Sequence, residues 1–207
     1  NLHCSFCQNS GISQAFGSRP RIIKMLPEAL IAKALTLKDQ GNIGIAYTYN
    51  EPLISYEYVT DCSRLAHENG LKNVLVTNGC CTAEVAAQVI PLMDAINVDL
   101  KVFSAEGYEK LGGDFHAVKD FIAMASADPG VHLELTTLIV PGLNDSAEMM
   151  EAEASWIASL DPGIPLHVTR FFPRHKMQSA EPTDLGLLHE LADVASRHLS
   201  NVFLGNC

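Results

Sequence analysis

The chain has 207 residues, of which 14 are basic and 24 are acidic, giving a formal net charge of −10 at pH 7. This charge argues against a nucleic-acid partner, because phosphate binding requires a basic face. No apolar run reaches the roughly 20 residues that cross a bilayer, and no polybasic segment is present, so we expect no membrane partner. The length and the 47% hydrophobic content suit one domain, residues 1–207, with a sizeable core.

Six cysteines are present, which in a chain of this length does not suggest a disulfide scaffold. We expect reduced thiols and a cytoplasmic protein, in which a CxxC motif indicates metal or redox chemistry. Cys62 falls within a helical pattern, where a small buried thiol is the simpler interpretation. Cys80 and Cys81 follow a polar turn and could approach a substrate, but ordinary loop cysteines explain them as well.

Helix-like and strand-like segments alternate along the chain. Predicted helices cover residues 27–40, 53–69, 82–90, 115–127, 146–160 and 183–198, and predicted strands cover residues 43–48, 74–76, 95–100, 131–140, 166–171 and 202–204. Thr183 is expected to begin the last helix, and residues 144–146 to cap the one before it. The alternation predicts an α/β fold with a parallel sheet and right-handed crossovers. In such folds the functional residues collect in loops after the carboxyl ends of the strands.

Polar residues stand at the carboxyl ends of five predicted strands. They occur at residues 47–51, at residues 77–79, at Asp99 and Lys101, at Thr136 and Thr137, and at Arg170 with His175. Each has a simpler explanation: residues 77–79 could be only a turn, and Asp99 and Lys101 could form a surface pair. Their recurrence at five strand ends, which packing alone does not explain, favours one shared site.

The motif Cys4-Ser5-Phe6-Cys7 places two thiols two residues apart. If a cysteine also stands immediately before Asn1, the motif becomes C-x3-C-x2-C, an iron–sulfur ligand set that leaves one iron open. Half of a zinc site, a redox dithiol and inert cysteines are the alternatives. A zinc site lacks a second pair of ligands with suitable spacing, and a thioredoxin-like dithiol needs a preceding strand.

Three charged residues at the strand ends suit a polar ligand. Glu51 could accept hydrogen bonds from an amino group, although a Glu at a helix N-terminus also favours the helix dipole. Asp99 could accept from ribose hydroxyls or join a small cation site. Lys101 lies two residues further along an extended segment and should point to the same side, where its ammonium could pair with a carboxylate.

Seven segments in sequence order carry a resemblance to a known family. They are CSFCQN at 4–9, YTYNEP at 47–52, VTNG at 76–79, NVDLK at 97–101, VPGLND at 140–145, RFFPRHKM at 170–177 and LGN at 204–206. With them the chain resembles radical S-adenosylmethionine (SAM) enzymes of the pyruvate formate-lyase activating enzyme type, and within these the AmmeMemoRadiSam-system branch. The resemblance implies an α/β fold, a partial (β/α)6 TIM-like barrel of the radical SAM type that lacks its first strand in this chain.

The resemblance also implies the cofactors, the partners and the reaction. Cys4 and Cys7 match the second and third ligands of a [4Fe–4S] cluster, whose open iron would bind SAM. Reductive cleavage of SAM would give a 5′-deoxyadenosyl radical that abstracts hydrogen. An electron donor such as flavodoxin or ferredoxin is implied, and so is a protein substrate if the reaction is glycyl-radical enzyme activation.

By position, the resemblance places a set of residues near SAM. They are Phe6, Tyr49, Asn50, Glu51, Thr77, Asn78, Asp99, Lys101, Thr137, His167 and His175. His167 and His175 are rivals for one role, because His175 lies in the matching Pro-x-His-x-Met segment whereas His167 lies on a strand. Val76 departs from the family pattern, which has an Asp there that would favour a cation site.

Two other functions stay open at the level of the sequence. A Schiff-base aldolase or lyase could use Lys101, provided that burial depresses its pKa, but it would leave the two cysteines without a role. A truncated or degenerate barrel that binds SAM or a partner without catalysis is the second alternative.

Overall fold

The computed structural model of the protein describes residues 2–13 and 22–207, and Asn1 and residues 14–21 lie outside this description. One sheet contains six strands in chain order, and every neighbouring pair is parallel. The strands are β1 (Gly44–Tyr47), β2 (Lys72–Thr77), β3 (Ala95–Asp99), β4 (His132–Ile139), β5 (Leu166–Arg170) and β6 (Val202–Gly205). In the described residues β1 and β6 are unpaired edges, so the sheet is open. The predicted α/β fold is confirmed, and each predicted strand overlaps an observed one.

Two helices precede β1, namely α1 (Ser10–Ser13) and α2 (Pro27–Leu35), and helices connect each pair of successive strands. The connecting helices are α3 (Tyr56–Glu68), α4 (Ala83–Val89), α5 (Ala105–Leu111), α6 (Phe115–Ala127), α7 (Ala147–Leu160) and α8 (Leu185–Ala195). Short 3-10 turns follow α2, precede α3 and follow α4. No helix in residues 2–13 and 22–207 is long and apolar enough to cross a membrane.

Two local predictions were wrong. The sequence analysis omitted α5, which begins where the Ser104 hydroxyl accepts a hydrogen bond from the backbone N–H of Gly107 at 2.9 Å. Thr183 does not begin the last helix, because Asp184 caps α8. Instead, the Thr183 hydroxyl is buried and donates to the backbone oxygen of Ile139 at 2.6 Å. A core contact therefore competes with capping for the same hydroxyl.

The two faces of the sheet differ in burial. Along β4, Leu133, Leu135 and Thr137 are buried, whereas Glu134 and Thr136 between them are half-buried. Since successive side chains of a strand point to opposite faces, one face packs under the helices and the other remains partly accessible. The accessible face carries the polar residues that matter for the site.

The N-terminal loop is fixed against this framework just before the cysteine motif and within it. The backbone N–H of His3 donates to the backbone oxygen of Leu111 at the end of α5 over 2.7 Å, and the backbone N–H of Lys176 donates to the backbone oxygen of Ser5 over 3.0 Å. Cys4 and Phe6 are 7% and 6% exposed and belong to the main core. Packing and backbone hydrogen bonds thus place the two thiols at the carboxyl ends of the strands.

At the opposite ends of the strands, the Asp94 carboxylate joins β2, β3 and α3. It accepts from Lys72 Nζ at 2.6 Å and from the Asn73 backbone at 2.8 Å, and it contacts His67 Nε2 at 3.0 Å. Burial alone would raise the pKa of Asp94, but the hydrogen bonds from Lys72, Asn73 and His67 outweigh it and lower the pKa to about 2. The ionised carboxylate therefore stabilises the folded state.

We expect Asp94→Asn to lower the free energy of unfolding by about 1–2 kcal/mol at pH 7. A pKa depressed by folding stabilises the protein above the unfolded-state pKa of about 4, and this contribution is lost as the pH falls towards 2. Urea titrations at several pH values should show that the difference in free energy of unfolding between the wild type and Asp94→Asn decreases as the pH falls from about 4 towards 2. Asp61→Asn, which removes an exposed ion pair to Arg64, is the matched control and should change stability by less than about 0.5 kcal/mol.

Candidate functional site

A cavity of about 650 Å³ opens at the carboxyl ends of the strands. Its walls come from the N-terminal loop, from the segments that end β1 to β5, and from the residues after β6. The predicted site residues that line it are Cys4, Phe6, Cys7, Tyr49, Asn50, Glu51, Asn78, Asp99 and Lys101. The parallel sheet therefore brings together the cysteine motif and polar residues that are far apart in sequence.

Cys4 and Cys7 are both free thiols that line this pocket. A tight turn holds them, in which the Cys7 backbone donates to the Cys4 oxygen at 3.3 Å, and Cys7 Sγ lies 3.4 Å from the hydroxyl of Ser13. Burial raises the pKa of the Cys4 thiol, and the nearby Lys101 ammonium opposes that shift. Within the described residues, no group of three His, Cys, Asp or Glu side chains is arranged to hold a metal ion.

Asp99 and Lys101 point to the same side of β3, as predicted, and form an ion pair with Nζ and Oδ2 2.8 Å apart. Burial alone would lower the pKa of Lys101, but the Asp99 carboxylate and the Cys4 and Cys7 thiols outweigh it and raise the pKa. The Lys101 side chain is 18% exposed. It is therefore a cation throughout the neutral range, placed between a carboxylate and the two thiols.

Buried polar side chains fix the backbone around this ion pair. The Tyr108 hydroxyl accepts from the Lys101 backbone N–H at 3.1 Å, and Asn144 Nδ2 donates to the Lys101 oxygen at 3.1 Å. Asn144 also donates to Leu138 and accepts from Val140. The predicted cap at residues 144–146 is confirmed at Ser146, which caps α7. Asn144 joins two pocket loops instead, and an asparagine before a helix is compatible with either role.

Glu51 joins the ends of β1 and β2. Its carboxylate accepts from the Thr77 hydroxyl at 2.6 Å, from the Asn78 backbone at 2.8 Å and from the Leu53 backbone at 3.0 Å. Burial raises the pKa of Glu51, although these three hydrogen bonds oppose the shift. Thr77 thus faces Glu51 rather than the cavity. Tyr49, whose φ is 80°, turns the chain just before this point, a backbone geometry that is uncommon outside glycine.

Thr137 and His167 are not among the residues that line the pocket. Thr137 faces the helices because it alternates with pocket-lining Thr136, and its hydroxyl donates to Glu153, whose pKa burial raises to about 7. His167 lies on the accessible face one step below the pocket residue Thr169, with Nε2 2.7 Å from Glu134. Thr137 is absent from the pocket lining because it points to the opposite face of its strand. His167 is absent because it lies further from the carboxyl end of its strand than Thr169 does.

His175 also lies outside the lining, although its neighbour Arg174 is part of it. Its φ of 49° turns the chain, and its Nε2 is enclosed without a hydrogen-bond partner among the described residues. Sequence reasoning did not assign several residues that do line the pocket. They are Leu2, Gln8, Asn9, Ser13, Leu138, Thr169, Phe171, Phe172, Arg174, Asn206 and Cys207. Thr136 and Arg170, which the sequence placed at the strand ends of one shared site, also line the pocket. Period-2 alternation along the strand from Thr136 would have identified Leu138.

Glu51→Gln should lower the free energy of unfolding by about 1–3 kcal/mol, because the amide turns one acceptor into a donor beside buried N–H and O–H groups. Chemical denaturation at pH 7 measures this loss. Glu57→Gln, on the exposed side of α3, is the control and should stay within about 0.5 kcal/mol of the wild type. Equal stability of the two variants would contradict the role of Glu51 as a link between strand ends.

Solved structures share this fold. A domain of pyruvate-formate lyase-activating enzyme from Bacteroides vulgatus matches 79% of this chain and 99% of its own, with a TM-score of 0.66 at 16% identity. Streptococcus suis SuiB bound to S-adenosylmethionine matches 100% of this chain and 48% of its own, with a TM-score of 0.75 at 14% identity. At these identities the likeness concerns the fold, and it agrees with the predicted partial barrel.

Similar sequences extend the comparison. An uncharacterized protein of Methanocaldococcus jannaschii is 33% identical over all of this chain, which spans 61% of that protein. Pyruvate formate-lyase-activating enzyme of Clostridium pasteurianum is 24% identical over 93% of this chain and 79% of its own length. The family model for the Radical SAM superfamily matches residues 1–154, which include both cysteines and the Asp99–Lys101 pair. The chain therefore belongs to the Radical SAM superfamily.

Proposed function

We propose that the chain is the core of a radical SAM enzyme that binds a [4Fe–4S] cluster at Cys4 and Cys7 and binds SAM in the adjoining pocket. The observation that carries the proposal is the placement of two free thiols and the Asp99–Lys101 ion pair in one cavity at the strand ends. Two thiols fit two corners of such a cluster, and a cysteine before Asn1 would supply the third protein ligand.

The pocket residues would then have distinct roles. The Lys101 ammonium stabilises negative charge at the thiolates through space, and the turn at residues 4–7 holds both sulfurs towards the cavity. Phe6, Asn50 and Asn78 line the same space and would contact SAM. When reduced, the cluster would supply an electron to the sulfonium of SAM, giving methionine and a 5′-deoxyadenosyl radical that abstracts hydrogen. The enclosing loops would exclude water from that step.

The names of the relatives support a proposal for the reaction partner. Two of the matching curated proteins are named as activating enzymes, for pyruvate formate-lyase and 4-hydroxyphenylacetate decarboxylase. We infer a substrate that is a protein, as in glycyl-radical enzyme activation, and a small reductant such as flavodoxin or ferredoxin. Six free cysteines suit the reducing cytoplasm in which such donors occur.

The electrostatics of Lys101 disfavour the aldolase alternative. A Schiff-base lysine must be neutral to attack a carbonyl, so its pKa has to fall. Asp99 at 2.8 Å holds the pKa of Lys101 above its ordinary value instead. The aldolase would also leave the pocket thiols unused. A barrel that binds SAM without cleaving it remains the second candidate, and the following experiment distinguishes it.

The protein is expressed with the residues that precede Asn1 in its natural sequence, reconstituted anaerobically with iron and sulfide, reduced and incubated with SAM. We expect broad visible absorbance and release of 5′-deoxyadenosine, both reduced to background by Cys4→Ala and by Cys7→Ala. Cys62→Ala is the control, because Cys62 is fully buried in α3, away from the pocket. Absorbance without product would favour the non-catalytic binding barrel, and borohydride trapping of a carbonyl compound at Lys101 would favour the aldolase.

A further inference from the structure

Arg170 is a cation of the pocket that has no carboxylate partner. It ends β5 and lines the cavity, yet none of the ion pairs in the described part of the chain includes it. Two other charged groups of the cavity already have partners: Lys101 pairs with Asp99, and Glu51 accepts three hydrogen bonds. A cation left unpaired beside a cavity is available to a ligand.

The guanidinium of Arg170 is held in place before any ligand arrives. Its Nε donates to the backbone oxygen of Thr183 at 2.8 Å, and its Cζ lies 5.0 Å from the centre of the Phe172 ring. Thr183 is itself fixed, because its buried hydroxyl donates to Ile139 and accepts from Phe171. With Nε used for anchoring, the two terminal nitrogens form the fork that binds carboxylate or phosphate oxygens in pairs.

Arg170 lies on a different wall of the cavity from the thiols. Lys101 is the cation close to Cys4 and Cys7 and follows β3, whereas Arg170 belongs to β5 with β4 between them. Adjacent strands lie about 4.8 Å apart, so the two strands are separated by about 10 Å. The methionyl part of SAM must stay beside the thiols to reach an iron that they hold. Arg170 therefore belongs to a part of the cavity wall away from the position that the methionyl part of SAM requires.

We propose that Arg170 forms an oxyanion subsite for the substrate, so that the group bound beside SAM carries a carboxylate or a phosphate. The identification of this ligand as the substrate rests on the function proposed above. Binding of an anion at Arg170 requires neither the cluster nor catalysis. It adds a requirement on the substrate: a negative group at the β5 wall, within reach of the position where hydrogen is abstracted.

The test titrates cluster-free protein with two probes, inorganic phosphate and malonate, and follows the Nε–H signal of Arg170 by NMR together with the heat of binding. We expect saturable binding of at least one probe, which also identifies the oxyanion, and a loss of about tenfold or more in Arg170→Gln. Arg170→Lys keeps the charge without the fork and should bind with intermediate affinity. Arg64→Gln is the control and should leave probe binding unchanged, because Arg64 is an exposed arginine that pairs with Asp61 and does not line the pocket.

SAM binding distinguishes the source of the anion. We expect the affinity of Arg170→Gln for SAM to stay within about twofold of the wild-type affinity. The reason is that the carboxylate of SAM would lie on the side of the cavity that carries the thiols. If the variant instead loses affinity for SAM but not for decarboxylated SAM, Arg170 binds the carboxylate of SAM and the substrate assignment is overturned. Equal probe binding by wild type and both Arg170 variants, with unchanged melting temperatures, would overturn the subsite. Failure of SAM cleavage with intact probe binding would count against the proposed function alone.

Discussion

Everything in the site depends on the direction of the strands. All six strands run parallel in chain order, so every carboxyl end lies at one edge of the sheet. Helices cover one face, and the chain must turn from strand to helix at that edge. Residues from distant parts of the sequence, such as Glu51, Asp99 and Arg170, therefore meet around one cavity. The N-terminal loop packs over the same edge and adds Cys4 and Cys7.

Loops at such an edge leave backbone groups without partners, and a few buried polar side chains satisfy them. Glu51, Asn144 and Thr183 are all buried, and each joins segments that are separated in sequence. An unsatisfied buried donor or acceptor costs about 1–3 kcal/mol, so these links strongly favour one arrangement of the loops. The pocket is consequently shaped before a ligand binds, which lowers the cost of ordering it.

Charge divides the cavity into two sides. On the β3 side, the positive charge of Lys101 is paired with the negative charge of Asp99 and lies near Cys4 and Cys7. An iron–sulfur centre at these thiols would therefore lie beside a charge pair with no net charge. On the β5 side, Arg170 keeps an uncompensated positive charge next to an aromatic ring. This division suits the two ligands proposed above, one at the thiols and the other at the guanidinium of Arg170.

The sequence by itself determined the class of fold, the order of the strands and the approximate position of each strand. Periodicity and turn residues predicted the strand–helix alternation, and polar residues at strand ends together with the cysteine pair indicated where a ligand binds. The sequence did not indicate α5. Only the tertiary structure decided which side chains face the cavity, because the two faces of β4 meet different surroundings, and Thr136 lines the cavity whereas the chemically identical Thr137 is buried under the helices. It also decided which charges are already paired, since pairing depends on contacts between segments far apart in sequence.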